Sequence, residues 1–233
     1  TNRGTPTPGK EYTFRCDPEY VRYLFDMGVD VVSLANNHAF DFGPEALDDT
    51  FKTLRDIDMP YIGAGENITE AVKPAYFKIN GKVISFIAAT QIEGSVNPPH
   101  TREATETENG VFRCLDTTRL KAAVAEAKEN SDYVICFIHW GTEKTDVVRD
   151  WQKSAANDFT ESGADLVIGM HSHCLQGIDY VNGAPVFYSL GNYIFNSNTQ
   201  DTCLITVTLD TSKSDETDIK SLQFVPCIQS GGK

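Results

Sequence analysis

The chain has 233 residues, with 20 Lys and Arg against 33 Asp and Glu, giving a formal charge of −13. That deficit of positive charge excludes a generic nucleic-acid binder, which needs basic surface to neutralise phosphates. No run reaches the roughly 20 apolar residues of a membrane span, while 40% hydrophobic and 10% aromatic residues suffice for a packed core.

Length fits one large domain or two small ones, and the chain is read as a single domain spanning 1–233. Residues 1–15, TNRGTPTPGKEYTFR, read as an extended lead-in. The chain opens on Thr1 with no signal segment before it, so it is expected to be a piece of a longer protein. Asp17-Pro18 starts a helix, with Asp17 as N-cap, an apolar side of Val21, Leu24, Phe25 and Met27, and Gly28 as its stop. Val29 to Leu34 reads as a buried strand. Pro44 opens a second helix with Ala46, Leu47, Thr50, Phe51 and Leu54 on one face. Pro60 to Ile62 is a short strand, and Gly63-Ala64-Gly65 a turn into a short helix carrying Thr69, Glu70 and Ala71.

Two strands, Ala75 to Ile79 and Lys82 to Ala89, flank the hairpin signal Asn80-Gly81. Residues 91–112, with Pro98-Pro99, read as a polar surface loop. Thr117 to Asn130 is a helix with Leu120, Val124 and Ala127 inward, and Tyr133 to Ile138 a buried strand. Asp146 to Ser162 is a helix with Trp151, Ala155 and Phe159 inward and Gly163 as its stop. Leu166 to Ile168 is a strand. A second hairpin turns at Asn182-Gly183 into Pro185 to Leu190, and Cys203 to Leu209 and Ile219 to Pro226 are late strands. This order implies a layered α/β fold with a mixed sheet or two stacked sheets, because Asn-Gly hairpins demand antiparallel pairs. The six cysteines form no C-x-x-C pair; Cys136 and Cys203 read as core residues.

Four of the five histidines follow predicted strands, where open α/β sheets place their ligand sites. His100, in the polar loop, receives no role. In Asn36-Asn37-His38-Ala39-Phe40-Asp41, an Asn oxygen can ligate a cation, His38 can give a proton to a leaving group, and Asp41 can fix its tautomer. An Asx-turn with a solvated His fits the same residues. His139-Trp140-Gly141-Thr142-Glu143 puts a His and a Gly at a strand end, and Trp140 suits either core or pocket wall. His171-Ser172-His173 has the spacing for two imidazoles to converge on zinc, manganese or iron. Ser189 and Asn192, at another strand end, either line a pocket or satisfy a turn.

Taken in order, SLANNHAFDFG, FIHWGTE, GADLVIGMHSHCLQGID and VFYSLGNYIF resemble the CapA family of poly-γ-glutamate capsule synthesis proteins, from about Gly9 to Phe195. That family is similar to the calcineurin-like metallophosphoesterases, a layered α/β/β/α sandwich of two mixed sheets with a two-metal centre. The resemblance implies metal ligation by Asn37, His139, His171 and His173, with His38 as the catalytic acid and Asp41 beside it. Asn36, Glu143, Ser189 and Asn192 are expected to contact substrate. The implied cofactors are two divalent ions (Mn, Zn or Fe). The implied partners are a phosphoester or polyanionic polymer and membrane-bound capsule machinery, with the protein outside the cytoplasm at the cell surface.

Three departures accompany the resemblance. The family's early acidic ligands are absent, so the chain is expected to start after the motifs that carry them, with the N-terminal strands missing. Met170 stands where the family usually has a His, and Asp41 lies three residues past His38 rather than next to it. Two other functions remain open: a non-catalytic accessory to polymer assembly or export, and a γ-glutamyl amide ligase or peptidase.

Overall fold

The computed structural model of the chain describes residues 1–92, 101–195, 199–212 and 218–230. His100 and the Pro98-Pro99 loop lie outside the described residues. In chain order, a 3-10 turn Pro18–Arg22 and α1 (Tyr23–Asp26) precede β1 (Val32–Ser33), α2 (Pro44–Asp56), β2 (Tyr61–Ile62), β3 (Ala64–Gly65) and α3 (Ile68–Ala71). Next come β4 (Ala75–Ile79), β5 (Lys82–Thr90), β6 (Gly110–Val111), α4 (Thr118–Asn130), β7 (Tyr133–Trp140) and α5 (Asp150–Glu161). The chain continues through β8 (Leu166–His171), β9 (Ile178–Val181), β10 (Ala184–Phe187), β11 (Gln200–Asp210) and β12 (Asp218–Gln229). Two compact units form: Thr1–Ala75 with Ile87–Leu120, and Tyr76–Phe86 with Lys121–Lys233.

In the first unit, the Asp17 side chain accepts from the Glu19 N–H at 3.1 Å, as an N-cap should. The inward side expected of this helix does not form. Neither the 3-10 turn nor α1 buries a residue, and Phe25 and Met27 are about half exposed. The physical reason is the mixed geometry: three residues per turn followed by one α-turn cannot keep Val21, Leu24, Phe25 and Met27 in one stripe. The first strand shrinks to Val32–Ser33, because the Val29 N–H turns back to the Leu24 carbonyl at 2.9 Å.

Helix α2 behaves as its sequence dictates. Pro44 occupies the first turn, where its missing N–H is no loss. Ala46, Leu47, Phe51 and Leu54 are buried, and Leu47 and Phe51 form a core with Ala64 and Val111. The loop expected over 91–112 is different where described. Thr101, Ala104, Val111 and Phe112 are 2% exposed or less, and β6 pairs antiparallel with β3. Its polar residues turn inward on one another: Arg102 Nη2 donates to the Asn109 carbonyl at 2.8 Å, and Asn109 Nδ2 to the Pro44 carbonyl at 2.9 Å. Satisfied polar groups can be buried at little cost.

The second unit is built on a six-stranded sheet in the order β4-β5-β7-β8-β10-β9. β7, β8 and β10 run parallel, and β9 is antiparallel to β10. Both Asn-Gly pairs turn hairpins with positive φ at each residue, 50° and 84° at Asn80-Gly81 and 52° and 85° at Asn182-Gly183. Leu120, Val124 and Ala127 of α4 are fully buried. In α5, Ala155 and Phe159 are buried but Trp151 is 43% exposed. The helix begins at Asp150 rather than Asp146, so Trp151 falls in a first turn at the rim, and Gln152 takes the inward position. Ile84, Tyr133, Ile135, Leu166, Ile168 and Phe187 form the core, covered by Ile205, Val207 and Leu222 of the β11–β12 ladder. Burying one such side chain contributes about 1.5–3 kcal/mol.

The class is mixed α/β, as expected. Among the described residues the strands form one six-stranded mixed sheet and three two-stranded ladders, β1-β2, β3-β6 and β11-β12. No described helix is long and apolar enough to cross a membrane.

Candidate active site

In the first unit, the chain leaves β1 and enters a tight polar turn. Asn36 Oδ1 accepts the His38 N–H at 2.8 Å, so Asn36 folds back as an Asx-turn. His38 Nδ1 lies 2.8 Å from Asp41 Oδ2. The Asp41 side chain is fully buried, whereas His38 keeps 30% of its side chain exposed. A neutral His38 donating Nδ1–H to Asp41 leaves Nε2 as the nitrogen for proton exchange. Asn37 is buried, at 4% exposure. Beside this turn lies a cavity of about 410 Å³, walled by Val32, Leu34, Leu47 and Leu54 and carrying Asn36 and His38.

Sequence reasoning missed Lys10. Its Nζ lies 2.5 Å from Asp41 Oδ1 and 2.6 Å from the Asn37 carbonyl, with only 5% of the side chain exposed. The Phe14 N–H donates to Asp41 Oδ2 at 2.7 Å. No pattern in the lead-in marks these contacts, since Lys is among the residues least often buried.

In the second unit, β7 and β8 deliver three imidazoles. The His139 and His171 ring centroids are 4.6 Å apart, and those of His171 and His173 are 6.1 Å apart. His171 and His173 sit at φ 105° and 59°, a region non-glycine residues rarely occupy. The turn is held there by Lys144 N–H on the Ser172 carbonyl (2.7 Å) and Gln200 Nε2 on the His173 carbonyl (2.5 Å). Asn192 Oδ1 lies 2.7 Å from His173 Nδ1 and orients that ring. Glu143, half exposed, places Oε1 4.0 Å from His171 Nε2.

Ser189 is buried, and its Oγ accepts the Gly191 N–H at 3.3 Å, so it satisfies a turn. Trp140 is core: fully buried, stacked between Phe159 and Tyr188. A second feature not foreseen is an amide clasp beside Gly141. Gln152 Nε2 donates to Gln176 Oε1 at 3.0 Å, while Gln176 Nε2 donates to the Thr145 carbonyl at 3.0 Å. Both glutamines lie against Gly141, at φ 94°, where a Cβ would press on the clasp.

Imidazole nitrogens suit a borderline divalent ion, and His139 and His171 are near enough for both rings to face one. Among the described residues, no group of three or more His, Cys, Asp or Glu side chains is gathered to hold a metal ion.

The bacterial capsule synthesis protein PGA_cap family matches residues 1–197. The chain belongs to this family. PGA_cap relatives include the PGA biosynthesis protein CapA of Bacillus subtilis, 32% identical over 84% of this chain and 51% of that protein. The capsule biosynthesis protein CapA of Bacillus anthracis is 31% identical over 80% of this chain and 46% of that protein. This PGA_cap chain thus spans about half the length of these relatives. Among solved structures, a putative 5'-nucleotidase of Staphylococcus aureus matches with a TM-score of 0.58 at 17% identity, covering 90% of this chain and 42% of that one. A hypothetical protein of Thermus thermophilus matches at 0.56 and 14% identity, covering 93% and 82%. At these identities the likeness is one of fold.

Proposed function

We propose that the chain works in the synthesis of a poly-γ-glutamate or related cell-surface polymer, outside the cytoplasm and alongside membrane-bound synthesis machinery. Its chemistry in this reading is hydrolysis of the phosphoesterase type. As the imidazolium, His38 gives its Nε2 proton to the leaving group, and Asp41, holding Nδ1–H, keeps Nε2 as the nitrogen that exchanges it. The observation that carries this is the 2.8 Å contact between His38 Nδ1 and a fully buried Asp41 carboxylate. A histidine that merely fills a solvated turn needs no buried anion behind it. His139, His171 and His173 are the imidazole donors available to a divalent ion in the second unit. Such an ion, when bound, supplies Lewis acidity.

The test uses the full-length protein with Mn²⁺ and p-nitrophenyl phosphate mono- and diesters. Turnover should fall by about 10²–10⁴-fold in His38→Ala, and metal analysis should find stoichiometric ion. A second reading is a non-catalytic accessory, favoured by the lack of a three-donor group among the described residues. It requires a protein that binds oligo-γ-glutamate and turns over neither ester.

A further inference from the structure

We infer that Lys10 is a positioning residue for His38, acting through Asp41; this rests on the reading of His38 as the proton-transferring group. The segment from Thr7 to Phe14 straps the His38 turn at several points. The Thr7 N–H donates to the Asp41 carbonyl at 2.8 Å, and Thr7 Oγ1 to the Phe40 carbonyl at 3.1 Å. Lys10 Nζ holds Asp41 Oδ1 and the Asn37 carbonyl, and Phe14 N–H holds Asp41 Oδ2. The Phe14 ring meets the His38 ring edge-on, with centroids 4.7 Å apart and planes at 66°.

The division of labour between the two carboxylate oxygens is the key. Oδ2 serves Phe14 and His38, and Oδ1 serves Lys10. Two bonds from opposite sides stop the carboxylate rotating about its terminal bond, so His38 Nδ1 always meets the same acceptor. Without the ammonium, Oδ1 loses its charge-assisted partner, and the carboxylate is held against His38 through Oδ2 alone. A purely structural lysine would affect stability alone, whereas a positioning lysine sets which His38 nitrogen carries the proton.

The experiment is a long-range ¹⁵N–¹H spectrum of the full chain, ¹⁵N-labelled at its five histidines. In the native chain, His38 should be protonated at Nδ1 and bare at Nε2. Lys10→Met should replace that single pattern with a mixture of the two tautomers, while the signals of the second-unit histidines stay in place. Lys10→Arg should restore the native pattern. In the full-length enzyme, Lys10→Met should lower kcat by about tenfold or more with KM within about twofold. A His38 pattern unchanged in Lys10→Met overturns the inference. If Lys10→Met does not fold, Lys10→Gln is read in the same way, and unfolding of both overturns it in favour of a structural strap. An inactive native protein would defeat the functional reading while the substrate-free spectrum still decides the role of Lys10.

Discussion

The Trp140 indole N–H donates to the Tyr188 carbonyl at 2.9 Å while the two rings stack at 5.8 Å. This bond passes directly over Gly169, where a Cβ would collide with both the carbonyl oxygen and the indole nitrogen. The backbone leading into His171 is therefore set by a glycine with no room for a methyl group. Gly169→Ala should destabilise the chain by about 3 kcal/mol, the upper end for overpacking a core. Urea denaturation monitored by tryptophan fluorescence checks this.

Trp140→Phe keeps the stack and deletes the donor. The expected loss is about 1–2 kcal/mol, the cost of taking away a buried hydrogen bond. A double-mutant comparison with Gly169→Ala should be strongly non-additive, because both act on the same contact.

Asp41 is a buried anion facing the buried Lys10 ammonium. Asp41→Ala removes the carboxylate and leaves that positive charge uncompensated, which should cost about 3–5 kcal/mol. Asp41→Asn keeps the shape and an acceptor oxygen and should cost less. The order of denaturation midpoints, native above Asn above Ala, is the outcome to look for.

Asp132 accepts the Val83 N–H at 2.8 Å and faces Lys82 at 3.0 Å. The Val83 bond, chiefly, holds its carboxyl below the ordinary range. A carboxyl depressed in the folded state stabilises it above the unfolded pKa of about 3.9, and the gain is lost as pH falls through the folded value. The stability gap between the native chain and Asp132→Asn should thus hold flat from pH 7 to 5 and close below about pH 4. Equal gaps at pH 7 and pH 3 would contradict this.

All six cysteines are free, but their environments differ. Cys136 is fully buried, and burial pushes its thiol well above the ordinary range, whereas Cys16 is exposed. Alkylation of the folded chain should reach Cys16 first and Cys136 only after unfolding. Peptide mass analysis of a time course reads this directly.

Local periodicity and turn chemistry were legible in the sequence. The stripe of α2, the inward face of α4 and both Asn-Gly hairpins follow from spacing that no tertiary contact overrides. The clustering of Asn36, His38 and Asp41 was readable too, because all three fall within six consecutive residues. Lys10 was not, since its burial depends on an acceptor 31 residues away. Gln152 and Gln176 were not singled out, since the bond that joins them spans 24 residues. Trp151 misled because helical spacing predicts a face but not where the helix begins. Strand β6 was hidden by a polar stretch whose Arg102 and Asn109 bond internally.

The interleaving of the two units along the chain has a consequence for biosynthesis. Each unit is assembled from two separate stretches, and the sheet's β5 ends at Thr90 while its neighbour β7 opens only at Tyr133. During translation, the apolar β4–β5 hairpin must emerge and wait until the ribosome has delivered the rest of its sheet. Such delayed, long-range pairing is slow and leaves strand edges open to intermolecular capture. The nascent chain is therefore at its most chaperone-dependent between those two points.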